Sequence, residues 1–169
     1  MHRPDPTEYA PYFGKYITLV QGNDAVAALD SQLKETLSFL GGLSDAQGDL
    51  RYAPDKWSIK EVIGHISDTE RIFAYRALRF ARHDRTPLSS FDENSYVAHS
   101  NLASRRLAEI TEEFELVRKA NLHFFKSLDG EMWVRRGIAN ENEASVRALA
   151  YMIAGHELHH LEIIRSRYL

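Results

Sequence analysis

Apolar residues recur at helical spacing along four separate stretches of this 169-residue chain, and no run of alternating apolar and polar residues competes with them. The first stretch covers about 24–40. Asn23 or Asp24 can cap it, Val26, Leu29, Leu33, Leu37 and Leu40 form a stripe, and Gly41-Gly42 stop it. The second covers about 59–82 and has the strongest start signal. Ser58 and Glu61 form a capping box, with Trp57 and Val62 spaced as a hydrophobic staple. Its apolar side is Ile59, Val62, Ile63, Ile66, Phe73, Ala77 and Phe80. The third covers about 101–128 through Ala103, Leu107, Ile110, Phe114, Val117, Phe124 and Leu128, with Asn121 in the slot between the last turns. The fourth covers about 145–167, capped by Ser145 and striped by Val146, Leu149, Ile153, Ile163 and Ile164.

Four such helices in a chain of this length predict one all-α domain over 1–169, a four-helix bundle. The connections at 83–100 and 129–144 exceed the roughly two to eight residues usual between bundle helices, so either is a candidate active-site loop. The second of them suits a brief extended pair around Gly137. Residues 1–22 read as an arm lying on the bundle.

Composition excludes several function classes. The chain has no cysteine, which removes disulfides, thiolate metal sites and a cysteine nucleophile. A net charge of −3 argues against non-specific nucleic-acid binding, and no nucleic-acid partner is expected. The basic run 76–85 reads as a solvated helix tail whose cations complement the dipole end. No apolar run approaches the ~18 residues of a membrane span, and no secretory signal is evident, so a cytoplasmic protein is expected.

The fourth helix carries "GHELHH". With His156 set at zero on a helical wheel, His160 falls at about 40°, between Leu149 at about 20° and Ile153 at about 60°. Both histidines therefore lie inside the apolar stripe, and His159 lies at its edge. Imidazoles one turn apart can reach one ion; equally, they can be core histidines bonded to backbone or carboxylates. A third ligand would come from another helix. His65, at the margin of the second helix's apolar face, is one candidate, and His123 and Asn121 on the third are others. His2, His83 and His99 read as exposed. Whether His65 matches the other two along the bundle axis depends on loop geometry.

The spelling His156-Glu157-x-x-His160 matches the zinc-peptidase H-E-x-x-H. No histidine follows it, the longer pattern finds Ile163 and Ser166 where Gly and His are required, and Glu157 points about 80° from the histidine pair. The match reads as a coincidence of a histidine-rich turn.

Three segments resemble the DinB-like superfamily: "KWSIKEVIGHISDTERIFAYRALRFARHD", "PLSSFDENSYV" and "VRALAYMIAGHELHHLEIIRSRYL". The similarity runs from "PTEYAPYFGKYI" to the last residue. Its specificity lies in W-S-x-K-E-x-x-G-H joined with the terminal H-x-x-x-H. The resemblance implies a four-helix bundle with long inter-helix loops and a metal triad of His65, His156 and His160. It implies zinc or nickel as the divalent transition metal, a homodimer, and a small-molecule substrate. The implied chemistry is transfer with a low-molecular-weight thiol of the bacillithiol, mycothiol or glutathione type. The alternatives are hydrolysis of a small ester or amide and a non-catalytic metal-binding bundle. Asp68 and Glu157 are the catalytic candidates, each able to take a ligand's free N–H. Asn121 reads as a satisfied bundle residue or a substrate contact, and Asp92, Glu93 and Tyr96 as either a surface loop or a cover over the metal.

Overall fold

A computed structural model describes residues 2–169. The chain begins with 3-10 turns at Pro6–Glu8 and Pro11–Phe13 and a short helix α1 (Gly14–Ile17). The helices α2 (Ala25–Gly41), α3 (Asp45–Gly48), α4 (Ile59–Ala81), α5 (Glu93–Ala98), α6 (Leu107–Lys126) and α7 (Gly130–Val134) follow. A hairpin of β1 (Arg136–Ala139) and β2 (Asn142–Ser145) leads into α8 (Val146–Arg167). The long helices α2, α4, α6 and α8 form the bundle.

Each long helix starts where its local chemistry directs. Asp24 accepts from the N–H groups of Val26 and Ala27 at the head of α2. At α4 the capping box closes both ways: Glu61 N–H donates to Ser58 Oγ at 3.3 Å, and Ser58 N–H to Glu61 Oε2 at 2.6 Å. Ser145 Oγ accepts from Ala148 N–H at 3.0 Å and starts α8.

The third long helix is shorter than its sequence pattern. It starts at Leu107, not near 101, because Leu102–Ser104 forms a separate 3-10 turn. Leu102 packs its branched tip against Gly64 of α4, closer than any side chain at position 64 would permit. Ala103 consequently faces solvent. The α6 terminus is capped from a distance, with Leu107 N–H donating to Asp45 Oδ1 at 2.5 Å. The buried face also differs: Arg118, Leu122 and Phe125 point inward with Leu107, Ile110 and Phe114, while Val117 is only half-buried.

The extended pair around Gly137 is an antiparallel hairpin in which Ala139 faces Asn142. Its two turn residues, Asn140 and Glu141, have φ of 50° and 61°, the left-handed pair of a two-residue turn whose twist matches the strands. Leu88, from the loop after α4, bonds alongside through Leu88 N–H to Ile138 O and Asn140 N–H to Leu88 O, each 2.9 Å. The long loops are thereby stitched together at one end of the bundle.

Helices α4 and α8 run antiparallel, pinned at both ends. The Tyr168 hydroxyl donates to the Trp57 carbonyl at 2.7 Å, joining the end of α8 to the start of α4. At the other end Arg135 donates to the carbonyl of Ala81, the last residue of α4, while its own carbonyl accepts from Val146 N–H at the head of α8. Ile63, Ile66, Phe73 and Phe80 of α4 and Leu149, Ile153 and Ile164 of α8 are buried in the shared core. Burial of each such side chain contributes roughly 1.5–3 kcal/mol. No helix among the described residues is long and apolar enough to cross a membrane.

The N-terminal segment is docked by specific contacts. Arg3 donates to the carbonyls of Ile17 and Val20, and both of these side chains enter the core. The Tyr16 carbonyl sits 2.0 Å from where a Cβ on Gly155 would lie, so only glycine lets this backbone rest on α8. Glu8 is buried and accepts from Ser145 Oγ at 2.6 Å, Arg147 Nε at 2.7 Å and Asp5 N–H at 3.0 Å. Burial works to raise its pKa, but these donors outweigh burial and hold it at about 2. The Glu8 contacts therefore contribute fully above the unfolded carboxylate value near 4.5 and are lost as pH falls toward 2. Replacing Glu8 with glutamine is expected to lower stability by about 2 kcal/mol at pH 7 in urea unfolding. The gap between the two proteins should narrow as pH falls below 4.5 and close only below about pH 2.

Candidate metal centre

His65 sits in the second turn of α4, and His156 and His160 lie one turn apart on α8. The antiparallel pinning brings them level. His65 is eight residues past Trp57 and His160 eight before Tyr168, so each stands about 12 Å from the same joined end. His65 Nε2 lies 3.0 Å from His156 Nε2, and His160 Nε2 lies 3.0 Å from the same atom. Nitrogens from all three rings fall within 4.8 Å of one another.

Hydrogen bonding alone cannot satisfy this arrangement. A neutral imidazole nitrogen carries either one hydrogen or one in-plane lone pair. His156 Nε2 is approached by two others and can serve only one of them well. Protonation offers no escape. Burial, followed by the neighbouring rings, pushes His156 well below its ordinary pKa, burial alone takes His65 to about 4, and burial with His65 takes His160 to about 3. Three neutral rings whose nitrogens lie within 4.8 Å of one another are a donor set suited to a divalent transition ion.

The surroundings orient the rings. Thr69 Oγ1 lies 3.5 Å from His65 Nδ1, one turn along α4. The Trp57 ring stands 4.8 Å from the His65 ring, and Tyr16 meets His156 and His159 edge-on at 5.5 and 5.2 Å. The histidines open onto a cavity of about 420 Å³ walled by Phe13, Trp57, Phe73 and Phe91, with Arg76, Glu93 and the hairpin residues Asn140 and Asn142 at its sides.

Several sequence-based expectations are corrected here. Asp68 does not take a histidine N–H; it pairs with Arg71 at 3.0 Å and is absent from the cavity wall. Thr69 holds the place expected of it. Glu157 is also directed elsewhere: Thr36 Oγ1 donates to it at 2.5 Å, and Arg118 Nη2 lies 2.8 Å from its other oxygen. A general-base role as in H-E-x-x-H peptidases is incompatible with that position. Asp92 caps α5, and Tyr96 is exposed beside Phe91, so of that trio only Glu93 reaches the cavity. Arg76, expected on a solvated basic face, is only 7% exposed. Asn121 is a bundle residue whose Nδ2 donates to Glu70 at 3.1 Å. His2, His83, His99 and His123 are exposed.

Sequence reasoning missed Thr69, Tyr16 and Arg76. Thr69 and Arg76 carried a usable signal, because four and eleven residues after His65 return to nearly the same helix face. Tyr16 carried none, since the arm's docking is long-range.

A sequence profile of the DinB superfamily matches residues 28–164. The chain belongs to the DinB superfamily. Among solved structures, YfiT from Bacillus subtilis is described as "a probable metal-dependent hydrolase with an unusual four-helix bundle topology". It aligns with this DinB-superfamily chain at a TM-score of 0.70 and 14% identity, over 97% of this chain and 92% of its own. A mycothiol-dependent maleylpyruvate isomerase aligns at 0.67 and 9% identity over 81% of this chain, which spans 58% of that longer protein. These likenesses show the shared fold. No curated protein sequence gives a significant match.

Behind the histidines, Arg118 is fully buried and grips Glu70 through two 2.8 Å bonds while also meeting Glu157. Burial opposes its charge, but the two carboxylates outweigh burial and raise its pKa. Burial conversely raises Glu157, more than Arg118 and Thr36 lower it. Arg118→Met is expected to strand two buried carboxylates and cost about 3–5 kcal/mol in urea unfolding. Glu157→Gln keeps one acceptor for Arg118 and turns a donor toward Thr36 Oγ1; with Glu70 still pairing the guanidinium it should cost less than Arg118→Met, about 1–3 kcal/mol, while leaving zinc stoichiometry unchanged. A peptidase-type Glu157 would instead abolish any turnover in that variant.

Proposed function

We propose that this protein is a cytoplasmic enzyme, dimeric in solution, that holds zinc or nickel on His65, His156 and His160 and transfers groups to or from a low-molecular-weight thiol. The observation that carries this reading is the convergence of three neutral imidazoles at the floor of an open, aromatic-walled cavity. Three protein ligands leave coordination positions free for an incoming molecule. A divalent ion bound there supplies Lewis acidity, lowering the pKa of a thiol or water and polarising an electrophile.

The chain's own residues define what can occur around it. With no cysteine in the sequence, a sulfur nucleophile must arrive from outside. Thr69 and Trp57 fix the His65 ring, and Tyr16 buttresses His156. The walls of Phe13, Phe73 and Phe91 exclude water from an apolar electrophile and lower the local dielectric.

Hydrolysis of a small ester or amide is the second reading, favoured by the likeness to the Bacillus subtilis structure described as a metal-dependent hydrolase. Incubating zinc- or nickel-loaded protein with ester and halide electrophiles separates the two readings. Turnover that requires bacillithiol, mycothiol or glutathione supports transfer, and thiol-independent turnover supports hydrolysis. Single alanine substitutions of His65, His156 and His160 are each expected to abolish stoichiometric metal in elemental analysis while circular dichroism stays within about 10% of wild type. Full metal retention by His65→Ala would remove that histidine from the ligand set.

A further inference from the structure

Arg76 carries a charge that the fold leaves unbalanced. The other buried arginine, Arg118, is paired with Glu70 and Glu157. Arg76, 7% exposed, has no carboxylate oxygen within 4.0 Å among the described residues. Its Nη2 donates to the Ser89 carbonyl at 2.9 Å, and its guanidinium carbon stands 5.6 Å from the Phe73 ring and 5.9 Å from the Phe91 ring. Burial is the sole influence on its pKa, directed downward, as expected where no countercharge is near. One carbonyl and two ring faces offset only part of the cost of burying a guanidinium.

The residue lines the same cavity as the three histidines. His65, Thr69, Phe73 and Arg76 form one row along α4. Arg76 is eleven positions beyond His65, about 20° around the helix and about 16 Å along it. One wall thus offers imidazole nitrogens at one end, an aromatic face in the middle and, at the other, a guanidinium bonded through Nη2 to one carbonyl and to no carboxylate.

We propose that Arg76 is the carboxylate-recognition residue of this cavity, so that the small molecule handled at the histidines is an organic acid whose carboxylate pairs with the guanidinium. The proposal rests on reading the histidine cluster as the reaction centre. A carboxylate fits better than a phosphate. Its two oxygens match the guanidinium fork and its single charge is neutralised by one cation. A dianion would remain half-compensated and would share the cavity with the Glu93 side chain. The aromatic wall then takes the apolar body of the acid.

The test uses benzoate and its uncharged isostere benzamide, measured by calorimetry against four full-length proteins: wild type, Arg76→Gln, Arg76→Lys and the metal-free double variant His65→Ala/His160→Ala. Wild type is expected to bind benzoate at least tenfold more tightly than benzamide. That ratio should persist in the double variant, fall to within twofold of unity in Arg76→Gln, and recover partly in Arg76→Lys. Melting of Arg76→Gln without ligand should equal or exceed wild type, because the substitution removes an unpaired buried cation. A benzoate preference absent from wild type, retained in Arg76→Gln, or lost in the double variant overturns the proposal; the last result would place the carboxylate on the metal. A melting temperature more than 10 °C below wild type in Arg76→Gln marks a structural residue and also overturns it. Failure of the metal reading registers separately, as wild type that takes up no zinc while still preferring benzoate.

Discussion

One guanidinium joins all four long helices. Arg118 of α6 grips Glu70 of α4, meets Glu157 of α8 and donates to the Leu29 carbonyl of α2 at 3.2 Å, while Thr36 of α2 closes the ring onto Glu157. Coupling of this kind fixes rotation as well as separation. Glu157 follows His156 by about 100° on α8, and Glu70 follows His65 by five residues, about 140° around α4. With both carboxylates held to Arg118, the histidines are turned aside from them by those angles, onto the buried wall of the cavity. Apolar packing could tolerate a helix rotated by some tens of degrees; a forked ion pair with set bond directions does not.

The second constraint is axial. Loops that knit α4 to α8 at one end and the Tyr168–Trp57 bond at the other put His65 level with His160. The arm adds a lid of sorts: Tyr16 rests its carbonyl on Gly155 and its ring against His156. The cavity is consequently built from segments far apart in the chain, namely the arm, the start of α4, the loop carrying Phe91 and the hairpin tip. Each contributes one wall, so the bundle core and the site are separable. The core is held by Arg118 and its neighbours, while the cavity holds polar groups that the core could not accommodate without partners.

Much of this protein could be read locally. The start of α4 follows from Ser58 and Glu61, that of α2 from Asp24 and that of α8 from Ser145, because capping satisfies nearby N–H groups with nearby side chains. The α6 start could not be read, since its cap is Asp45 and the residue displaced from it, Leu102, answers to Gly64. Likewise Val117 looked like the inward residue of α6, because a periodicity reading assigns burial to apolar side chains. The structure buries Arg118 instead, a choice that only the carboxylates of two other helices make favourable.

The amino-acid sequence determined that the chain forms four amphipathic helices, that two histidines share the inner stripe of the last one, and that any metal ligands would be nitrogen or oxygen, with no thiolate available. Periodicity and composition are local properties, so they decide such matters alone. Tertiary structure decided that His65 completes the cluster, that Glu157 and Asp68 do not serve it, and that Arg76 faces the cavity without a countercharge. These outcomes depend on the rotation and axial register of helices separated by long loops, which are set by contacts between residues some fifty to more than a hundred positions apart.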